Sequence, residues 1–113
     1  DGAVIISTPQ DLALLDVKRG IEMFDKTGIK IIGLVDNMSF FKGDDGKNYK
    51  IFGEGGVEKT AKEYKKEFLG KIPIHQDLRN ANDKGDPLTH SNPKHEVSLI
   101  FRDIAEKIKL SFQ

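Results

Sequence analysis

The sequence contains no cysteine in its 113 residues. Without thiols the chain cannot form a disulfide framework, a thiolate zinc site or an iron–sulfur cluster held by its own sulfurs. This absence fits a protein of the reducing cytoplasm, where disulfides are rare. An iron–sulfur cluster would need sulfur ligands from outside this chain.

An excess of one charge is also missing, because 18 basic and 18 acidic side chains cancel. No net field therefore draws the chain to nucleic acid or to anionic lipid. No apolar run approaches the roughly 20 residues that cross a bilayer, and no signal peptide opens the sequence. These absences predict a soluble cytoplasmic protein without a nucleic-acid or membrane partner.

Three continuous apolar runs predict strands that are buried on both faces, as in a parallel sheet. They lie at residues 3–7, 29–35 and 68–74. An apolar stripe at helical spacing follows the first run and ends at Gly28, which predicts a right-handed βαβ unit. We also expect a short charged helix at residues 57–66, a helical turn at 78–83 and a last helix that begins at 91–93. The sequence thus predicts one α/β domain with about three parallel strands.

The segment after the first predicted strand is polar, and ligands of open α/β sheets bind beyond the carboxyl ends of the strands. Here Thr8 and Pro9 fit the start of a helix, with the Thr8 hydroxyl as N-cap and Asp11 in the first turn. Capping explains this segment without a ligand. Gln10 is the one residue of this segment to which helix capping gives no role.

Asn37 follows the second predicted strand. Its planar amide donates and accepts hydrogen bonds, which suits the edge of a base such as adenine. A turn residue whose side chain bonds to nearby backbone would show the same pattern. From the residues alone, both interpretations stay open.

The third predicted strand runs into a loop that contains Pro73, Ile74, His75 and Asp77. Proline stiffens this loop, so its backbone groups can line a base pocket. Asp77 is placed to cap the helical turn that follows. The loop is therefore the second candidate for contact with a base.

The same loop raises the question of a metal site or a proton relay, because His75 and Asp77 lie two residues apart. The other histidines, His90 and His95, are not at a sequence spacing that completes a site with them. We therefore expect these histidines to have structural roles.

Motifs for phosphate binding or catalysis are absent from the chain. Gly53, Gly55 and Gly56 precede a helix, whose N-terminal N–H groups can bind anions, but the Lys-Ser/Thr ending of a Walker A loop does not follow. The glycines are expected to start the helix. No nucleophile elbow and no pair of carboxylates in separate environments is present. The chain is not expected to be active alone.

Four segments resemble the C-terminal half of the Mrp/ApbC-type P-loop ATPases, relatives of MinD and ParA that act as iron–sulfur cluster carriers. They are DGAVIISTPQDLALLD at residues 1–16, GLVDNMS at 33–39, IFGEGGVEK at 51–59 and FLGKIPIHQDLR at 68–79. Their order is that of the family, and they span essentially the whole chain. The resemblance implies the C-terminal part of a Rossmann-like P-loop NTPase fold. Because the Walker A loop of such proteins lies in the N-terminal half, it also implies that this chain is a fragment.

The family resemblance implies a cytosolic homodimer that binds ATP with Mg²⁺, hydrolyses it slowly and passes clusters to apoproteins. It further implies that Asn37 hydrogen-bonds the adenine, and that the loop with Pro73, Ile74, His75 and Asp77 packs around the base. The alternatives are a partitioning or positioning ATPase of the MinD or ParA kind, and a non-enzymatic interaction module.

The sequence departs from the family after the NMS motif, where many members carry a Cys-x-x-Cys pair and two subunits hold a bridging cluster. Residues 40–47 here read FFKGDDGK. Asp44 and Asp45 are hard oxygen ligands and poor substitutes for thiolates. The Asp-Gly pair between aromatic arms instead predicts a β-hairpin at residues 40–52.

Overall fold

The computed structural model describes residues 2–51, 53 and 55–112. Phe52 and Glu54, in the predicted hairpin arm and glycine-rich turn, lie outside the described residues. The elements in chain order are β1 (Ala3–Ser7), α1 (Asp11–Thr27), β2 (Ile31–Lys42), β3 (Asn48–Tyr49), α2 (Gly56–Glu63), β4 (Phe68–Ile74), α3 (Gln76–Lys84), α4 (Leu88–Ser91) and α5 (Glu96–Leu110). Within this described part, no helix is long and apolar enough to cross a membrane.

The sheet confirms the predicted α/β architecture. β1 and β4 run parallel to β2 on its two sides, which gives the order β1, β2, β4. β3 pairs antiparallel with the end of β2, through Phe41 and Tyr49. The other edge of β1 pairs with none of the described strands. Three parallel strands, flanking helices and a hairpin are therefore present, as expected.

Successive side chains of β2 point to opposite faces of the sheet and join two separate cores. Leu34 packs against α1 and α2, whereas Val35 packs against β4 and α5. The first core contains Val17, Ile21, Leu34, Val57 and Ala61, and the second contains Val35, Leu69, Ile72 and Ile104. The pairing register of β2 thus determines both helix layers.

The second strand is longer than the apolar pattern predicts. The pattern covers residues 29–35, whereas β2 is Ile31–Lys42. Met38 has a φ of 57°, in the left-handed region, and the pairing with β4 shifts register around it. This distortion redirects the strand into the hairpin without ending it. The polar residues 36–39 are therefore part of β2 and not a loop after it.

The start of α1 also differs from its prediction. Gln10 and not Thr8 is the N-cap residue, and its side chain makes no capping hydrogen bond. The Thr8 hydroxyl donates to Gln10 Oε1 over 3.2 Å. Gln10 is extended, with ψ at 142°, which keeps Pro9 outside the helix. The end at Gly28 is as predicted, in the left-handed conformation that glycine adopts without strain.

The C-terminal part contains two helices, α4 and α5, where the sequence predicts the start of one. Residues 91–93 do not begin the last helix, because Ser91 ends the short α4 and a turn follows. α5 begins at Glu96 with His95 as its N-cap. The preceding α3 is longer than the predicted turn at 78–83.

The hairpin turn is closed by its own hydrogen bonds. The Gly43 N–H donates to the Lys47 carbonyl over 2.9 Å, and Asp45 Oδ1 accepts from the Lys47 N–H over 2.9 Å. The Tyr49 hydroxyl donates to the other Asp45 oxygen. This bond lowers the pKa of Asp45 and raises that of Tyr49. The hairpin is confirmed, but its second strand is only Asn48–Tyr49.

The close packing of β2 on β4 predicts a destabilising effect at Gly33, where an added Cβ would lie 2.6 Å from Leu69 Cγ. Gly33→Ala should lower the free energy of unfolding by about 1–3 kcal/mol, because the core must shift to admit a methyl group. In α1, a Cβ at Gly20 meets no described neighbour within 4 Å. Gly20→Ala should raise the free energy of unfolding by about 0.5–1 kcal/mol. Urea unfolding measures both, and a change of the same sign in the two variants would contradict this packing.

Candidate functional site

The carboxyl ends of β1, β2 and β4 lie at one edge of the sheet, where α/β proteins bind ligands. Ser7 at the end of β1 pairs with Asp36 of β2. The next residue of β2, Asn37, pairs with Ile72, two residues before the end of β4. The structure therefore places Asn37 at this edge, although within β2 and not after it.

The Asn37 side chain is half-buried and bonds to neighbouring backbone. Its Oδ1 accepts a hydrogen bond from the Met38 N–H over 3.0 Å. This is the turn-type bond that was one of the two interpretations of this residue. Within the described part of the chain, no hydrogen bond involves the amide nitrogen of Asn37. That nitrogen remains a donor for a ligand.

Asp36 is fully buried beside this position. Its Oδ2 accepts a hydrogen bond from the Ser39 hydroxyl over 3.1 Å, whereas Oδ1 has no partner among the described residues. Burial raises the pKa of Asp36, the Ser39 hydrogen bond and the charge of Lys71 oppose this rise, and the charge of Glu58 adds to it. Sequence reasoning missed Asp36 as a buried carboxylate. The available signal was an acid that directly continues a buried apolar run.

The prediction of a loop from Pro73 to Asp77 is wrong, because β4 includes Pro73 and Ile74 and only His75 separates it from α3. The end of β4 and His75 line two cavities. Ile74 and His75 border one of about 450 Å³, together with Phe41, Gln76, Arg79, Asn80 and Asp83. Pro73 and His75 border a second of about 170 Å³, together with Phe40, Asn48, Glu96 and Ile100. Asn37 and Asp77 line neither cavity. His75 thus borders both cavities, one together with Ile74 and the other together with Pro73.

The expectation that His75 and His95 do not form a cluster is wrong. His75 Nδ1 accepts from the Asp77 N–H and caps α3, and His95 Nδ1 accepts from the Val97 N–H and caps α5. The two rings meet edge to face with centroids 4.6 Å apart, and His95 Nε2 lies 2.9 Å from Asp77 Oδ2. Sequence spacing does not show this contact, because α3 and α4 fold back between the two histidines.

The predicted capping role of Asp77 is also wrong, because its backbone N–H is the group that is capped, by His75. Its carboxylate instead bonds to His95. The third histidine, His90, is exposed and pairs with Asp86 over 3.3 Å. It lies outside the cluster, as expected.

The glycine-rich turn serves local packing. Gly55 is the N-cap of α2 with a φ of 66°, which favours glycine. A Cβ at Gly56 would lie 2.5 Å from Leu14 Cδ1. These glycines therefore start α2 close against α1, as the sequence predicts.

A family model described as the NUBPL iron-transfer P-loop NTPase matches residues 1–109. The chain belongs to this family. It is 44% identical over 108 residues to the iron–sulfur cluster carrier protein of Escherichia coli K12, covering 95% of this chain and 29% of that protein. It is also 44% identical over 108 residues to the iron–sulfur cluster transfer protein NUBPL of Dictyostelium discoideum, covering 95% and 33%. The chain spans about three tenths of the length of these relatives.

Solved structures agree with the NUBPL-type P-loop NTPase assignment. A nucleotide-binding protein from Archaeoglobus fulgidus, in complex with ADP and with cobalt, has a TM-score of 0.64 and 41% identity, covering 74% of this chain and 35% of its own. The cell division ATPase MinD of Pyrococcus furiosus has a TM-score of 0.73 at 21% identity, covering 96% and 42%. The second likeness shows the fold, and it confirms the MinD-like α/β architecture.

Asp36→Asn tests the cost of the buried carboxylate. Burial raises the pKa of Asp36 above its ordinary value of 3.8, so the folded chain holds this proton more tightly than the unfolded chain. The resulting stabilisation is present below pH 3.8 and is lost as the pH rises through the folded pKa. From about pH 4 to 7, the free energy of unfolding of the wild type should therefore fall relative to that of Asp36→Asn.

Urea unfolding across this pH range measures the difference, with Asp44→Asn in the exposed hairpin turn as the matched control. A wild type that gains stability over Asp36→Asn as the pH rises would contradict the assigned direction.

Proposed function

We propose that this chain supplies the adenine-binding side of the nucleotide site in an ATP-dependent iron–sulfur cluster carrier. The observation that carries the proposal is the position of Asn37 at the carboxyl edge of three parallel strands, beside the end of β4. Two facts about relatives support it. Proteins that are 44% identical are cluster carriers or cluster transfer proteins, and one that is 41% identical was solved with ADP.

The base would be held between Asn37 and the end of β4 with His75. The unpartnered amide nitrogen of Asn37 is suited to donate to a ring nitrogen of adenine, while its oxygen stays on the Met38 N–H. Asn37 does not border the cavity of about 450 Å³ beside Ile74 and His75, so the proposal rests on the edge of the sheet and not on this cavity. Pro73 and Ile74 lie at the end of β4, and Asp77 lies in the first turn of α3.

The phosphates would be bound elsewhere in the intact protein. This chain has no Walker A lysine and no Ser/Thr ligand for Mg²⁺ in such a loop, and these groups neutralise phosphate charge in P-loop ATPases. The chain's role is then recognition of the base, and the complete site needs residues beyond it. In the intact carrier we infer a cytoplasmic homodimer that delivers clusters to apoproteins.

The residues of this chain do not fit an iron–sulfur cluster as cargo. The chain has no cysteine, and the Asp45 carboxylate at the position of the family's cysteine pair is already bonded to Lys47 and Tyr49. Sulfur ligands for a carried cluster would come from other parts of the intact protein.

Asn37→Ala in the full-length protein should weaken ATP binding by about tenfold or somewhat less, the effect of one lost hydrogen bond. Asn37→Asp keeps the acceptor for the Met38 N–H and removes the amide donor, so it should also weaken binding. Asn92→Ala removes an exposed amide outside both cavities and should bind as the wild type does. Titration with a fluorescent ATP analogue measures all three, and if Asn37→Asp binds normally while Asn37→Ala does not, Asn37 acts only on the turn.

The 113-residue chain by itself should not hydrolyse ATP, because it lacks the lysine and Mg²⁺ ligands that stabilise the transferred phosphoryl group. Phosphate release measured with Mg²⁺-ATP should equal the background of a buffer blank. Mg²⁺-dependent phosphate release that increases in proportion to the concentration of the chain would show that the catalytic groups lie within these residues.

A further inference from the structure

The N-termini of α3 and α5 bring two imidazoles and one carboxylate together. His75, Asp77 and His95 each offer one ligand atom, and these atoms lie within 4.8 Å of one another. We infer that these three side chains form a binding site for a divalent transition-metal ion of the zinc class. The inference does not rest on the proposed nucleotide function, although His75 and Asp77 belong to both, since it is argued only from the geometry of the three groups.

The distances suit a single ion. Zinc binds imidazole nitrogen and carboxylate oxygen at about 2.0–2.2 Å, so two of its ligands lie at most about 4.4 Å apart. Asp77 Oδ2 lies 2.9 Å from His95 Nε2 and 3.9 Å from His75 Nδ1. The ligand atoms of the two histidines lie within 4.8 Å of each other, so an approach to within about 4.4 Å completes the set. Two imidazoles and a carboxylate then leave a fourth position for water.

A carboxylate also stands behind one of the ligands. Glu96 Oε1 lies 3.8 Å from His75 Nε2, on the side of the ring away from the ligating Nδ1. Histidines that bind metals usually donate their other N–H to such a carboxylate, which orients the ring. At 3.8 Å this pair is not yet a hydrogen bond, and an approach of less than about 1 Å would let Glu96 accept the Nε2 proton. The same tautomer serves helix capping, so the contact is compatible with both roles of His75.

Exposure of the three groups allows an ion to enter. The side chains of His75 and His95 are 26% and 13% exposed, whereas that of Asp77 is 56% exposed. The imidazoles are therefore held by surrounding protein, and the carboxylate faces solvent. An ion can approach from the Asp77 side.

Metal binding and helix capping compete for the same nitrogen atoms. An ion on His75 Nδ1 displaces the Asp77 N–H, which now donates to that atom over 3.0 Å. An ion on His95 Nε2 requires the ring proton on Nδ1, so the Val97 N–H loses its acceptor. Binding should therefore change the environment of the Asp77 and Val97 amides together.

The test is a titration of the 113-residue chain with Zn²⁺ alone, without nucleotide, against a chromophoric chelator. We expect one ion per chain. His75→Asn and His95→Asn should each weaken binding by more than about tenfold, the lower bound seen even for second-layer partners of metal ligands. Asparagine is a good N-cap residue, so these variants keep the helix starts and remove the imidazole ligand.

His90→Asn is the matched control, because His90 is an exposed histidine outside the cluster. It should bind Zn²⁺ as the wild type does, and circular dichroism checks that all three variants fold. No binding by the wild type, or equal weakening in His90→Asn, would overturn the site. Amide spectra provide a second readout: Zn²⁺ should shift Asp77 and Val97 in the wild type and neither in His95→Asn.

Discussion

The parallel pairing of β2 with β1 and β4 is the constraint on which the rest of this structure depends. Leu34 and Val35, adjacent in β2, belong to the cores on opposite faces of the sheet. A slip in register by one residue would exchange them, so that each side chain of β2 would face the wrong helix layer. The contact of Gly33 with Leu69 leaves no room for another side chain there. The same register sets Asp36 opposite Ser7 and Asn37 opposite Ile72.

The burial of Asp36 affects both the stability of the fold and the proposed base-binding edge. An apolar residue would continue the β2 pattern, but a carboxylate occupies this position in the interior, and one of its oxygens has no partner among the described residues. Buried polar groups without a partner cost free energy and are uncommon in folded proteins. Because Asp36 directly precedes Asn37, this cost lies at the proposed base-binding edge.

The sequence predicts most of the architecture because the informative patterns are local. β4 has the predicted bounds, since its apolar run is bounded by charged residues and by the loop with His75. The extension of β2 was not predictable, because the left-handed Met38 follows from hairpin pairing and not from its own preference. Among the candidate site residues, Pro73, Ile74 and His75 surround shared cavities. The contact of His75 with His95 depends on how α3 and α4 fold back between them. The spacing of the two histidines along the chain gives no information about that fold.

The continuity of β2 has a mechanical consequence. The strand passes from the parallel sheet through Met38 to the hairpin without an intervening loop. Loops ordinarily absorb displacements because few contacts hold them. A molecule that binds the hairpin would therefore hold the same extended backbone that carries Asn37. Displacement of the hairpin tip would reach the edge of the sheet through the distorted backbone at Met38, the residue next to Asn37.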